Sequence, residues 1–169
     1  MVFQPQERLH LGAEAEVWSG LWMGRQAVRK IRRKRGWRHP NLEKRLGFRR
    51  LLSEARLLIR ARRVGLEVPA IWDVDMDESV IIMEKIEGKP LIEILRAGEY
   101  NDELLFKVGK SIREFHRHAV NHGDLSTNNI LITKEGDAIL IDLGLASREY
   151  ELEGFGIDLH VLHEIFRAS

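Results

Sequence analysis

Two short polar segments in the second half of this 169-residue chain combine residue types that suit phosphate chemistry. The first runs from His122 to Asn129, with Asp124 five positions before Asn129, and the second is Asp142-Leu143-Gly144. A carboxylate can accept the proton of an attacking hydroxyl, while an amide oxygen and a second carboxylate can hold Mg²⁺ against nucleotide phosphates. Either segment alone is better explained as a turn capped by aspartate. Both together, in this order, favour catalysis.

The composition limits which other chemistries are open to the chain. It contains no cysteine, which excludes disulfides, thiolate metal sites and cysteine nucleophiles. No uncharged apolar run is long enough for a transmembrane helix, and the first residues lack the pattern of a signal peptide. We therefore expect a cytoplasmic protein that has no contact with a membrane.

The net charge of +1 hides a strong asymmetry along the chain. The segment from Arg25 to Arg63 holds 16 Lys and Arg against 2 Asp and Glu, a net charge of +14. The remainder holds 11 Lys and Arg against 24 Asp and Glu, a net charge of −13. This basic block has two equally good explanations. It is either a solvated helix face or a surface that contacts nucleic acid, nucleotide phosphate or an acidic partner.

Hydrophobic periodicity and turn residues predict an α+β chain with two lobes, in which strands come first and helices later. One long helix, capped by Asn41 and ended by Gly65, is predicted after the third strand. The predicted strands are 10–11, 15–21, 26–31, 71–74, 80–83, 130–132 and 138–141, and the other predicted helices are 90–98, 103–119 and 157–166.

The two polar segments resemble the protein-kinase superfamily, whose catalytic loop reads His-Arg-Asp-x-x-x-x-Asn and whose metal loop reads Asp-Phe-Gly. The upstream half agrees, because Ala27-Val28-Arg29-Lys30 is similar to the third-strand motif and Glu54 falls on the following long helix. The resemblance implies that Lys30 holds the α- and β-phosphates and forms an ion pair with Glu54. Without the downstream segments, Lys30 would be read as one more cation in a basic run.

Departures from the superfamily pattern narrow the resemblance. Gly123 stands where arginine is usual, Ser126 stands where most eukaryotic-type kinases have lysine, and the 25 residues after Gly144 contain no Ala-Pro-Glu motif. Residues 30–43, which contain Arg38-His39-Pro40, are similar to the corresponding residues of the atypical kinase of the KEOPS complex. This is the PRPK-like family, near the RIO kinases. This resemblance covers nearly the whole chain. It also leads us to expect that a basic tail beyond Ser169 is missing.

The family implies a two-lobed protein-kinase-like fold built from one domain, residues 1–169. A small β-rich N-lobe with one long helix is expected over residues 1–87, and a reduced, mainly helical C-lobe over residues 88–169. Asp158 fits the buried helix aspartate that hydrogen-bonds the catalytic-loop backbone in kinases. The alternative for Asp158 is a charge near a helix N-terminus that the helix dipole favours.

The same resemblance implies ATP and Mg²⁺ as cofactors and gives the chemical residues their expected roles. Asp124 is the general base or orients an attacking water, and Asn129 and Asp142 bind Mg²⁺. Lys30, fixed by Glu54, holds the phosphates.

Residues around the expected adenine and phosphate positions follow from the resemblance as well. The Glu84 carbonyl and the Ile86 amide would pair with adenine at the hinge, with Met83 at the back of the pocket. The phosphate loop is expected at Leu11, Gly12, Ala13, Glu14, Ala15 and Val17, although it keeps only one of the usual glycines. The residues expected to sandwich the adenine ring are Val17, Val28, Leu131 and Ile141, for which plain core packing is the alternative.

The resemblance implies an ATP-dependent Ser/Thr protein kinase and ATPase. Such kinases act beside a threonylcarbamoyl transferase subunit and other KEOPS subunits in making threonylcarbamoyladenosine in tRNA. The basic segment Arg32–Arg50 is a candidate contact for tRNA phosphate, and a solvated loop is the alternative.

Three other interpretations stay open at this point. A RIO-type kinase of ribosome assembly has a similar catalytic loop, but the Arg38-His39-Pro40 segment and the short length argue against it. A small-molecule phosphotransferase would usually carry a larger C-terminal part. A nucleotide-binding scaffold with little turnover is favoured by the altered phosphate loop and disfavoured by Asp124, Asn129 and Asp142.

Overall fold

The computed structural model describes residues 2–33 and 39–168, and the chain divides into two compact units. The first unit comprises Met1–Ile59 and Pro69–Lys85, and the second comprises Arg60–Val68 and Ile86–Ser169. The unit boundary therefore falls after Lys85, and the last turn of the long helix belongs to the second unit.

Five strands form most of the first unit, namely β1 Gln4–Leu11, β2 Ala15–Trp22, β3 Arg25–Arg32, β4 Ile71–Asp75 and β5 Val80–Glu84. They make an antiparallel sheet with the order β1-β2-β3-β5-β4. The turn between β2 and β3 consists of Met23 and Gly24, whose φ angles of 51° and 77° are both positive. Two left-handed turn residues match the twist of a tight hairpin.

Helix α1, Pro40–Arg63, packs against one face of this sheet. Val28 of β3 contacts the same cluster, whereas its neighbour Ala27 belongs to the cluster on the opposite face. Because side chains alternate along a strand, Lys30 lies on the helix side with Val28. The buried residues between helix and sheet are Leu51, Ala55, Ile81 and Met83.

The second unit combines helices with short antiparallel strands. The helices are α2 Leu91–Ala97, α3 Asp102–Arg117 and α4 Leu152–Ala168. The strands are β6 Gly88–Pro90, β7 Val120–Asn121, β8 Ile130–Thr133, β9 Ala138–Leu140 and β10 Ser147–Arg148, and they pair in the orders β6-β8-β9 and β10-β7. Asn101 caps α3, since its side chain accepts a hydrogen bond from the Leu104 N–H at 2.9 Å.

The α+β plan predicted from the sequence is confirmed, with corrections at several element ends. Strand β1 begins at Gln4 instead of residue 10. The sequence did not predict its first part because the residues of this strand are all exposed and show no apolar alternation. Helix α1 begins at Pro40, one residue before the predicted cap. Helix α4 begins at Leu152 instead of residue 157, and strands β6, β7 and β10 were not predicted. No helix in the described ranges is long and apolar enough to span a membrane.

Candidate active site

A buried ion pair joins strand β3 to helix α1 within the first unit. Lys30 Nζ lies 2.7 Å from Glu54 Oε1, and the two side chains are 8% and 1% exposed. Lys30 points to the helix side of the sheet with Val28, and Glu54 precedes the buried Ala55 on the packed face of α1. The pairing expected from the sequence is therefore present.

The carboxylate of Glu54 has a second partner that the sequence analysis did not single out. Arg32 Nη2 lies 2.6 Å from Glu54 Oε2, and the Arg32 side chain is 8% exposed. Lys30 and Arg32 stand two positions apart on β3, so both point to the same face of the sheet. This spacing was the available signal, but a run of cations does not reveal which of them are buried.

Arginine side chains brace the turn between β1 and β2, where the phosphate loop is expected. Arg33 Nη1 donates to the Gly12 carbonyl at 3.0 Å, and the Arg33 N–H donates to the Glu14 carbonyl at 2.9 Å. Arg50 of α1 lies 3.3 Å from the Glu14 carboxylate. The turn is thus tied to the end of β3 and to α1. Contact of this turn with phosphate stays a prediction. The turn lies within the expected loop residues, which are Leu11, Gly12, Ala13, Glu14, Ala15 and Val17.

The residues expected around adenine lie in both units. Met83 is buried on β5, and the backbone N–H of Glu84 donates to the Ala70 carbonyl at 2.8 Å. The Glu84 carboxylate in turn accepts the Ala70 N–H at 3.1 Å, which fixes the end of β5. The half-buried residues of this set are Val17 and Val28 in the first unit and Ile86, Leu131 and Ile141 in the second. Their contact with a nucleotide stays a prediction.

Asp158 of α4 anchors the start of the catalytic loop, which we define as residues 122–129. Its Oδ2 accepts the backbone N–H of His122 at 2.7 Å, and its Oδ1 accepts that of Gly123 at 2.9 Å. His116 Nε2 of α3 lies 3.1 Å from the same Oδ2. Asp158 is 1% exposed, so the expected hydrogen bonds between a buried helix aspartate and the loop backbone are confirmed. The sequence analysis did not anticipate the contribution of His116.

Asp124 and Asn129 meet within the catalytic loop. Asn129 Nδ2 donates to the Asp124 carbonyl at 2.9 Å and lies 3.2 Å from its Oδ2. Two buried side chains of the loop, Leu125 and Thr127, are fully enclosed and hold it in the second unit. Asp124 itself is exposed, and its role as the base stays a prediction.

Asp142 follows strand β9 and adopts a left-handed backbone conformation with φ of 58°. Its Oδ1 accepts the Gly144 N–H at 3.2 Å, while Leu143 beside it is buried. The loop is tied to the catalytic loop, because the Ile141 N–H donates to the Asn129 carbonyl at 2.9 Å. A left-handed conformation is uncommon for a non-glycine residue, although aspartate adopts it more readily than most.

His122 is buried and neutral in the catalytic loop. Burial lowers its pKa, and hydrogen bonding to the Ile141 carbonyl only partly opposes this effect. Nε2 lies 3.0 Å from that carbonyl, so Nε2 must carry the proton. Nδ1 is buried without a hydrogen-bond partner within the described part of the chain.

The pKa of Asp158 lies below its ordinary value. Burial raises this pKa, but the hydrogen bonds from His116 and from the backbone of His122 and Gly123 together outweigh burial. Asp158 is therefore a carboxylate at neutral pH, which suits an acceptor of several hydrogen bonds.

The oxygen donors in the second unit fit a hard divalent cation. Because Asn129 Nδ2 donates to Asp124, the Asn129 amide oxygen points away from that carboxylate. The described residues contain no cluster of three or more His, Cys, Asp or Glu side chains that could hold a metal by themselves. A cation at Asn129 and Asp142 would need further oxygen ligands, such as water or phosphate, which Mg²⁺ commonly takes.

Comparison with the sequences of known proteins shows the family of this chain. The sequence model of the "Lipopolysaccharide kinase (Kdo/WaaP) family" matches residues 6–155. The chain is 36% identical to the mouse "EKC/KEOPS complex subunit Tp53rkb", over 96% of this chain and 71% of that protein. It is also 36% identical to the "KEOPS complex subunit Bud32" of Pyrococcus abyssi, over 94% of this chain and 75% of that protein. The chain belongs to the Kdo/WaaP kinase-like family and to the Bud32 family of KEOPS subunits. The PRPK-like resemblance is thereby confirmed.

Other relatives are much longer than this chain. It is 37% identical over 98% of its length to a "Probable bifunctional tRNA threonylcarbamoyladenosine biosynthesis protein" of Methanothermobacter thermautotrophicus, of which it covers 30%. The family domain therefore corresponds to one part of that bifunctional protein.

Solved structures confirm the protein-kinase-like fold. The Rio2 kinase of Chaetomium thermophilum, determined as an ADP/Mg²⁺-phosphoaspartate complex, has a TM-score of 0.74 and 19% identity. That match covers 99% of this chain and 56% of the Rio2 chain. A second Rio2 structure has a TM-score of 0.79, with 98% of this chain and 57% of that chain covered at 18% identity. These similarities establish the fold of this family member.

Proposed function

We propose that this chain is an ATP-dependent atypical Ser/Thr kinase and ATPase that acts as a KEOPS subunit in the threonylcarbamoyladenosine modification of tRNA. The observation that carries the proposal is the 36% identity to two KEOPS subunits, of which the chain covers 71% and 75%. The relatives named for threonylcarbamoyladenosine biosynthesis support the tRNA assignment. Its location would be the cytoplasm.

The catalytic loop supplies the base of the proposed reaction. Asp124 accepts the proton of the attacking hydroxyl, or orients a water when ATP is hydrolysed. Asn129 holds the Asp124 carboxylate by a hydrogen bond at 3.2 Å and thus fixes its direction. Because Asp124 is exposed, the proton can pass on to solvent.

The remaining charged residues bind the nucleotide. Lys30 binds the α- and β-phosphates, and Glu54 keeps the ammonium directed by the ion pair at 2.7 Å. Asn129 and Asp142 would hold Mg²⁺, which neutralises the negative charge of the phosphates when it is bound. The turn at Gly12–Glu14 would cover the phosphates, while Glu84 and Ile86 would bind adenine through their backbone.

Partners complete the proposed role. A threonylcarbamoyl transferase subunit and other KEOPS subunits would control turnover, and tRNA would contact the basic segment Arg32–Arg50. Within that segment, residues 34–38 lie outside the described residues. Arg33 and Arg50 contact the β1–β2 turn, so they support the phosphate loop as well.

The experiment that tests the proposed function is turnover of labelled ATP with Mg²⁺, measured for the chain alone and with the transferase subunit and tRNA. We expect weak hydrolysis by the chain alone and a change in rate when the transferase subunit is added. ATP binding without turnover in every mixture would favour the scaffold interpretation. Phosphate transfer to a ribosomal protein, but not within a KEOPS mixture, would favour the RIO-type interpretation.

A further inference from the structure

Each oxygen of the Glu54 carboxylate has its own cation. Lys30 Nζ is 2.7 Å from Oε1, and Arg32 Nη2 is 2.6 Å from Oε2. All three side chains are at least nine-tenths buried. One buried carboxylate is thus shared by two buried cations on the same strand, and the cluster carries a net charge of +1.

The second cation changes what happens when the first one moves. A buried carboxylate that loses its only cation is strongly disfavoured, because the low-dielectric interior cannot replace water. If Lys30 were the sole partner of Glu54, a shift of its ammonium towards a phosphate would carry this penalty. With Arg32 on the other oxygen, Glu54 stays neutralised while Lys30 binds an anion.

The neighbouring arginines do not replace Arg32 in this role. Arg33 donates to the Gly12 carbonyl at 3.0 Å, and Arg50 is paired with Glu14 at 3.3 Å. Arg29 points to the opposite face of the sheet, where its guanidinium lies 5.9 Å from the centre of the Phe3 ring. Among the described cations of β3, Arg32 is the one besides Lys30 with a contact to Glu54.

Arginine is also an energetically unfavourable residue at position 32. Its Nε is buried and has no hydrogen-bond partner within the described residues. An unsatisfied buried donor destabilises a protein, so the guanidinium is not the optimal choice for packing alone. Its planar fork does, however, hold a carboxylate oxygen in a fixed direction.

We propose that Arg32 is a positioning residue, which keeps Glu54 neutralised and α1 in place while the Lys30 ammonium binds nucleotide phosphate. The inference rests on the proposed function, because it assumes that Lys30 binds ATP. It assigns to the strand a second cation whose contact is with Glu54 and not with the nucleotide.

The kinetic test compares Arg32→Met with Arg29→Met, a control on the same strand and the opposite face. For Arg32→Met we expect KM for ATP to rise about tenfold, the loss typical of one charge-assisted hydrogen bond, with a smaller change in kcat. Arg32→Lys keeps the charge without the planar fork and should restore part of the loss. Equal kinetic effects of Arg32→Met and Arg29→Met would overturn the proposal.

A measurement that needs no turnover keeps this proposal separable from the proposed function. The chain has 4 Trp residues, of which three lie in the described first unit, so tryptophan fluorescence reports the urea unfolding of that unit. We expect Arg32→Met to lower the urea midpoint, and Glu54→Gln to remove that effect, because two buried cations then repel each other. An equal decrease in both backgrounds would refute the coupling of Arg32 with Glu54.

The two tests distinguish the possible failures. Absence of ATP turnover in the wild-type chain with its partners would contradict the proposed function, while the unfolding cycle still decides whether Arg32 positions Glu54. Normal turnover together with an additive unfolding cycle would leave the proposed function standing and remove the role of Arg32.

Discussion

The carboxylate of Asp158 accepts the backbone N–H of His122 at 2.7 Å across a separation of 36 residues. The same carboxylate also accepts the N–H of Gly123 and contacts His116 of α3. One buried side chain therefore connects α4, α3 and the catalytic loop. The orientation of Asp124 depends on this connection, because Asp124 directly follows Gly123.

Replacement of Asp158 tests this connection. Asp158→Asn keeps the shape but offers one acceptor oxygen, so one backbone N–H stays unsatisfied at a cost of about 1–3 kcal/mol in unfolding free energy. The matched control is Asp102→Asn on the exposed first turn of α3, which should change stability little. Far-UV circular dichroism during urea unfolding measures both. Equal stability of the two variants would show that the Asp158 contacts do not hold the loop.

The pH dependence of stability follows from the lowered pKa of His122. The imidazole of an unfolded histidine becomes protonated below about pH 6.5, whereas that of the buried His122 stays neutral to a lower pH. The contribution of His122 is therefore complete above about pH 6.5 and is lost as the pH falls towards its folded-state pKa.

His122→Gln isolates this contribution, because its amide nitrogen can replace Nε2 without titrating. We expect the stability advantage of the wild type over His122→Gln to shrink as the pH falls below about 6.5. Urea unfolding across a pH series measures it. A pH-independent difference would contradict the buried neutral imidazole.

Gly123 stands where kinases usually have arginine, and its backbone explains why a larger residue is excluded here. Its φ is 75°, and a Cβ atom would collide with the backbone of Leu145. Gly98 is a matched control, since its φ is 69° and no atom lies within 4 Å of an added Cβ.

The two alanine variants separate backbone strain from collision. Gly98→Ala should cost about 1–2 kcal/mol from the left-handed conformation alone. Gly123→Ala should cost about 1–3 kcal/mol more, because the loop must move away from Leu145, and ATP turnover should fall with it. Identical costs in thermal unfolding would mean that the loop accommodates the methyl group freely.

Asp124 and Asp142, two exposed acidic residues of the second unit, should differ in their effects on nucleotide binding and on the chemical step. Asp124→Asn should reduce the rate of the chemical step by orders of magnitude and leave nucleotide affinity nearly unchanged. Asp142→Ala should abolish ATP turnover while the fold stays intact. Single-turnover kinetics and nucleotide titration measure the two effects. Unchanged hydrolysis in Asp124→Asn would refute its role as base.

The basic segment predicts a salt-dependent contact with tRNA. A triple variant with Glu at Lys34, Arg35 and Arg38 leaves the Arg33 contact with Gly12 intact. If all three cations meet phosphate, the slope of log affinity against log salt should decrease by about 2–3. The control reverses three exposed cations elsewhere, namely Arg96, Arg113 and Lys134. Equal affinities and slopes in a salt series would favour the solvated loop.

Sequence patterns predicted the parts of the molecule that rest on local spacing. Asp124 and Asn129 belong to one loop, and the hairpin between β8 and β9 connects that loop to Asp142, so their proximity followed from neighbouring residues. Lys30 and Glu54 were predictable because a known motif names both.

Features that depend on distant pairing were not predictable in the same way. Strand β6 pairs Gly88 with Thr133, and β10 pairs Ser147 with Asn121. Strands of two or three residues show no periodicity, so tertiary contacts alone define them. The burial of Arg32 was hidden for a related reason, since the position of α1 decides which cations of the basic run are enclosed.

The hydrogen bond from His122 Nε2 to the Ile141 carbonyl also provides a spectroscopic reporter. Of the seven histidines, all within the described ranges, His122 is the buried one. Its Nε2 proton should exchange slowly with solvent, and its unprotonated Nδ1 should have a distinct ¹⁵N chemical shift. An imidazole spectrum of the ¹⁵N-labelled chain can therefore show whether the catalytic loop stays assembled when a partner subunit or an RNA is added, without any substitution near Asp124.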